Sequence, residues 1–152
     1  MRFKRTIVYS VLLALSAMGC HTPNRPDQDQ GKAVIKTVTG TATRSFSGTQ
    51  TPATRGMELA AGTTITTGPD SSAYLSINGR LSDVRLQGDT TLVISKMDSN
   101  ETILELKAGS ILGQVEKLPP NYKYEIKTLH GVAAPRPGSK FAITAAQACV
   151  RN

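Results

Sequence analysis

The sequence predicts an all-β domain behind an N-terminal leader. Short stretches alternate apolar and polar side chains, as Ala73-Tyr-Leu-Ser-Ile77 and Tyr122-Lys-Tyr-Glu-Ile126 do, and that period of two is the mark of a half-buried strand. β-Branched residues crowd together, most densely in Thr63-Thr-Ile-Thr-Thr67. Such side chains suit a pleated surface and disfavour helix. Gly, Pro, Asp and Asn interrupt the chain at close intervals and read as turns. About ten short strands result, in a twisted β-solenoid-like or sandwich arrangement.

Taken in order, Ala33-Val-Ile-Lys-Thr-Val-Thr39 is the first strand and Gly40 ends it. Residues 41–46 form a second strand, and residues 47–55 a Gly/Thr/Pro-rich loop. Met57-Glu-Leu59 leads into a central strand–turn–strand, read as a hairpin, from Gly62 to Gly79. Its turn is Gly68-Pro69-Asp70, in which Gly accepts positive φ, Pro presets φ and Asp bonds the backbone ahead. Asn78-Gly79 turns the chain again. Val84 and Leu86 then share one face, and Gln87-Gly88-Asp89 turns into a strand over residues 90–96. After a turn at residues 98–101, Leu104 and Leu106 point inward and Glu105 outward. Ala108-Gly109 reads as a turn before a strand over residues 110–117, and Pro119-Pro120-Asn121 breaks that strand. Tyr122, Tyr124 and Ile126 then share a face opposite Lys123, Glu125 and Lys127. Residues 131–134 and 140–144 complete the set. The glycines at 62, 88 and 109 each precede a strand, at spacings too irregular for a strict repeat.

The length, 152 residues, fits one small domain plus a leader. Four Tyr, three Phe and no Trp leave a core that must be mostly aliphatic. The formal net charge is +7. Of 18 basic residues, Arg2, Lys4 and Arg5 lie in the leader, which leaves 15 against 11 acids, about +4. The remaining charge is dispersed, with no basic block interleaved with aromatics, so nucleic acid is not the expected partner.

Residues 1–19 have the layout of a secretory signal: a basic start, a short apolar run, then small residues before Cys20. The run is too short for a bilayer-spanning helix, which needs about 20 apolar residues. Ala17-Met18-Gly19-Cys20 resembles a bacterial lipoprotein lipobox. The resemblance implies cleavage before Cys20, lipid on its sulfur and amine, and hence a membrane anchor on the periplasmic side. More than one acyl chain makes such an anchor durable. His21 follows, rather than the Asp that resembles an inner-membrane retention signal, so the outer membrane is favoured. Residues 20–32 are polar with two prolines and read as a tether.

Residues 32–144 resemble the FecR domain. Gly62-Thr-Thr-Ile-Thr-Thr-Gly-Pro-Asp-Ser-Ser-Ala73 is the most recognisable piece. Val84-Arg-Leu, Thr91-Leu-Val-Ile, Leu106-Lys-Ala-Gly-Ser-Ile-Leu and Tyr124-Glu-Ile-Lys-Thr-Leu-His-Gly-Val-Ala-Ala follow in the family's order. The resemblance implies a β-solenoid-like domain outside the cytoplasm that contacts an envelope protein. It resembles a stand-alone lipoprotein form, without the cytoplasmic segment and spanning helix of the iron-uptake regulators. Pro135-Arg-Pro-Gly-Ser139 departs from the family's Arg-Gly-Thr, and residues 145–152 lose alternation. A C-terminally shortened form is the expectation.

The residues mark no catalytic or metal constellation and call for no cofactor. His130 sits in a turn without a neighbouring acid, and Cys149 stands alone once Cys20 is assigned to lipid. Interaction candidates are Tyr74, Tyr122 and Tyr124, which read first as core and edge filling but are also the residue type an interface uses, and the cations Arg136 and Lys140, which flank the Pro-Gly loop as a solvated rim or an anion contact. The expected protein is therefore not an enzyme. It is a lipid-anchored module that binds an envelope protein, or alternatively an envelope polysaccharide or peptidoglycan through the Tyr/Lys strand at residues 122–127.

Overall fold

The computed structural model describes residues 31–145. The signal peptide at 1–19, the lipidation site Cys20, most of the tether and Cys149 lie outside the described residues. Twelve strands follow one another: β1 (Ala33–Thr39), β2 (Ala42–Phe46), β3 (Thr49–Pro52), β4 (Glu58–Leu59), β5 (Thr64–Thr67), β6 (Ser72–Ile77), β7 (Ser82–Leu86), β8 (Thr91–Met97), β9 (Glu101–Val115), β10 (Lys123–Thr128), β11 (Gly131–Ala133) and β12 (Lys140–Ala145). Among the described residues there is no helix, and the all-β expectation holds.

The strands form one curled sheet, a half-barrel organised around β9. The N-terminal part of β9 lies between β8 and β10, and its C-terminal part between β7 and β12. One half of the sheet therefore runs β3-β2-β5-β8-β9-β10-β11, and the other β4-β1-β6-β7-β9-β12. Neighbours are antiparallel except β9 and β10. The concave side closes on one aliphatic core. Ile65, Leu92, Ile94, Leu104 and Leu106 come from the first half, and Leu75, Ile77, Val84, Leu86 and Ile111 from the second.

Three local readings change. First, residues 108–109 are not a turn. β9 passes through them unbroken, and Gly109 (φ +82°) bends it from one half of the sheet into the other. A Cβ at Gly109 would lie 2.5 Å from Thr90 Cα and 2.6 Å from Asp89 O, so bare backbone is what lets the corner close. Second, the loop at 47–55 holds β3. Ser47 and Gly48, at φ 50° and 80°, make a two-residue hairpin turn that sets Phe46 opposite Thr49. Pro52 fits because β3 is an edge strand. Third, β5 and β6 are not a hairpin. β5 pairs with β2 and β8, while β6 pairs with β1 and β7. Residues 68–71 instead carry the chain across the fold of the sheet.

Buried hydroxyls hold that fold. Ser71 Oγ accepts from Thr41 N (2.9 Å) and donates to Pro69 O (3.0 Å). Thr90 Oγ1 donates to Ser110 O and accepts from Ser110 N, each at 3.1 Å. Threonine and serine supply both donor and acceptor, and so take up backbone groups at the corner where ladder pairing stops.

Candidate functional site

The five residues singled out from sequence fall into two groups. Tyr122, Tyr124 and Arg136 line a cleft of about 440 Å³ between the β9–β10 and β11–β12 loops, together with Leu118, Pro119 and Pro135. Tyr74 and Lys140 line a shallower depression of about 240 Å³ on the convex face of the second half.

In the first group Tyr124 fills the core, the first of the two readings the sequence allows, and does not belong to a contact surface. The alternation that puts Ile126 in the core puts Tyr124 there too, and Tyr124 is 4% exposed. Its hydroxyl pairs with the buried Ser82 hydroxyl at 2.6 Å. Burial, only partly offset by that hydrogen bond, holds Tyr124 above the usual tyrosine range. Tyr122 is half-buried and its hydroxyl lies 2.7 Å from Thr102 Oγ1 and donates to Asp98 O at 3.1 Å. Asn78 Nδ2 donates to the same hydroxyl and to Asp98 O (2.8 Å), while Asn78 Oδ1 accepts from Gly31 N (2.7 Å). One network thus ties the β6–β7 turn, the β8–β9 turn and the entry to β1. Arg136 is exposed in a loop whose own backbone is tied by Ser139, which donates to Arg136 O.

The second group lies where the convex face is open. Register puts Thr37, Tyr74, Arg85, Leu112 and Ala142 in one row across β1, β6, β7, β9 and β12. Ser76, Asp83, Gln114 and Lys140 form the next row. Tyr74 (38%) and Leu112 (39%) are large exposed apolar side chains. Burial and then the neighbouring Asp83 carboxylate hold the Tyr74 hydroxyl above its usual range. The convex face of the first half differs. Ion pairs Lys96–Glu101, Lys107–Glu105 (2.5 Å) and Lys123–Glu125 (3.2 Å) cover it. Such exposed pairs contribute little stability and keep a surface solvated. Among the described residues, Arg85 and Lys140 carry no ion pair.

The sheet edges are unequal. β3 carries Pro52, β4 has two residues and β11 three, all blunted in the usual ways. β12 is six residues long and pairs only with β9 among the described residues. Its inward side chains, Phe141 and Ile143, pack on the core but stay half-buried. Sequence reasoning passed over this edge, because alternation reveals a strand without telling which side lacks a neighbour.

His130 is exposed in the β10–β11 turn, its N–H on Thr128 Oγ1 at 3.3 Å. Among the described residues no three His, Cys, Asp or Glu side chains come together to hold a metal ion. Comparison with known protein families, with curated proteins and with solved structures finds no match.

Proposed function

We propose that this is a non-enzymatic, lipid-anchored protein of the bacterial envelope whose β domain is a FecR-like interaction module of the sensor or signalling type. Cys20 carries the anchor, on the periplasmic side and with the outer membrane favoured. The partner is another envelope protein, bound by strand addition at β12. The observation that carries this reading is the edge of β12, which has no neighbour besides β9 among the described residues and holds two half-buried apolar side chains along its six residues. An added strand would pair with the backbone of that edge and cover Phe141 and Ile143 together. The resemblance of residues 32–144 to the FecR domain supports the same role.

Two experiments test it. A photo-crosslinking residue at Ala142, on β12, captures an envelope protein in cells, whereas the same group at Gly56, outside the strands, does not. Equal capture at both positions, or none at Ala142, refutes the edge. Metabolic labelling with a palmitate analogue marks the wild-type chain and not Cys20→Ser. An unlabelled wild-type chain refutes the anchor.

A second reading, recognition of an envelope polymer, is favoured by the exposed Tyr74 rather than by Tyr122 and Tyr124, whose hydroxyls are spent within the fold.

A further inference from the structure

Building on the polymer-recognition reading, we propose that the convex face of the β4-β1-β6-β7-β9-β12 half binds a neutral, hydroxyl-rich glycan laid across the strands over Tyr74. The surface has the necessary shape. Two depressions, of about 240 and 220 Å³, lie next to one another, with Tyr74 and Arg85 lining both. One reaches Leu112, Gln114 and Lys140, the other Thr37, Thr39 and Ser72. Together they cross five strands, about 19 Å at the usual inter-strand spacing. That is room for an oligosaccharide rather than a single sugar.

The chemistry selects the ligand class. Each sugar hydroxyl both donates and accepts, and a pyranose ring also presents an apolar C–H face. A matching site needs an apolar plate flanked by donors and acceptors on planar groups. The Tyr74 ring and Leu112 supply the plate. Asp83 only accepts, Arg85 and Lys140 only donate, and the amide of Gln114 does both. Gln114 Nε2 donates to Glu116 Oε1 at 2.9 Å, which holds the amide in place. Two carboxylates, Asp83 and Glu116, offset two cations, Arg85 and Lys140, around this face, so it offers no net positive charge to a strongly anionic polymer. An extended peptide finds no strand edge there, because β6, β7 and the C-terminal part of β9 are paired on both sides.

The test is a glycan array probed with the full-length protein in detergent micelles. The array carries neutral oligosaccharides of four or more units, uronic-acid oligosaccharides and control peptides. Neutral oligosaccharides are retained, and Tyr74→Ala weakens retention at least tenfold without lowering the melting temperature. Arg85→Gln gives a similar loss and serves should Tyr74→Ala destabilise the sheet. Phe46→Ala, an exposed aromatic on β2 in the other half, retains wild-type binding. Ile143→Thr, which trims the apolar cover at the β12 edge while keeping a β-branched side chain, leaves glycan retention unchanged, so loss of the edge partner and loss of glycan are separable. Retention of uronic-acid chains or peptides alone, no retention at all, or binding indifferent to both Tyr74→Ala and Arg85→Gln overturns the proposal.

Discussion

Replacing Gly109 by alanine tests whether the corner of β9 organises the fold. Two costs add. An L-residue held at φ +82° costs about 1–2 kcal/mol. The new Cβ would also lie 2.3 Å from Thr90 Oγ1, 2.5 Å from Thr90 Cα and 2.6 Å from Asp89 O. Two of those atoms are backbone, so no rotamer change relieves the clash, and overpacking of this kind costs about 1–3 kcal/mol. The sum is about 2–5 kcal/mol, a large part of the ~5–15 kcal/mol that stabilises an ordinary domain. Gly48 is the internal control. It has φ +80° but nothing within 4 Å of a built Cβ, so Gly48→Ala carries the conformational cost alone, about 1 kcal/mol. Urea unfolding followed by circular dichroism reads both. With a slope near ~1.5 kcal/mol/M, Gly109→Ala lowers the midpoint by about 2 M, and Gly48→Ala by under about 1 M. Equal shifts for the two variants would mean that the approach of β9 to Thr90 does not hold the corner, and the argument would fall.

Three further outcomes follow from polar groups tied into the fold. Asn78→Asp keeps the shape and the left-handed φ of 47°, but turns the donors facing Asp98 O and Tyr122 into acceptors; thermal melting should show a loss of about 3 kcal/mol, and an unchanged melt refutes the network's role. Tyr124 keeps its proton in the fold when the unfolded chain has lost it, so its stabilisation is complete below the ordinary tyrosine value of about 10 and fades as pH rises beyond it. Stability between pH 9 and 11, read by urea midpoints, therefore falls more steeply in the wild type than in Tyr124→Phe, while at neutral pH that variant loses about 1–2 kcal/mol because Ser82 is left unpaired. Asp98 Oδ1 accepts from Asn100 N (2.8 Å) and Glu101 N (2.9 Å), which lowers its carboxyl below the usual range; the stabilisation is present above the unfolded value and is lost as pH falls through the lower folded one, so Asp98→Ala flattens the acid limb of the stability curve.

Alternation was the legible part of this chain. It fixed which side chains face the core: Val84 with Leu86, Leu104 with Leu106, and Ala73, Leu75 and Ile77 opposite Tyr74. It also held the answer for Tyr124, since a strand that buries Ile126 buries the residue two before it. Pairing was not legible, because a turn signal reports that the chain bends and not which strand it meets. Gly68-Pro69-Asp70 makes a good hairpin turn and here serves a crossover between the halves. Gly109 looks like the other turn glycines, and only the approach of Thr90, from another strand's entry, shows that it bends a continuous strand. β3 escaped notice because an edge strand with few inward contacts has no need of apolar alternation; Thr49-Gln-Thr-Pro52 is almost wholly polar.

The two proposed surfaces use different parts of the same backbone, and that decides how they relate. A strand added to β12 lies in the plane of the sheet and consumes N–H and C=O groups along its edge. A glycan on Tyr74 lies above that plane and consumes side chains, which point out of it. Lys140 belongs to both regions, since it begins β12 and lines the depression around Tyr74. An added strand would therefore extend the convex face beyond Lys140 rather than cover it. The β3-β2-β5-β8 side, with its ion-paired convex face beyond β8, is left to face solvent. On the two proposals together, occupancy of the edge and of the face would be compatible, and β9, which pairs with β7 on one side and β12 on the other, would join the two surfaces.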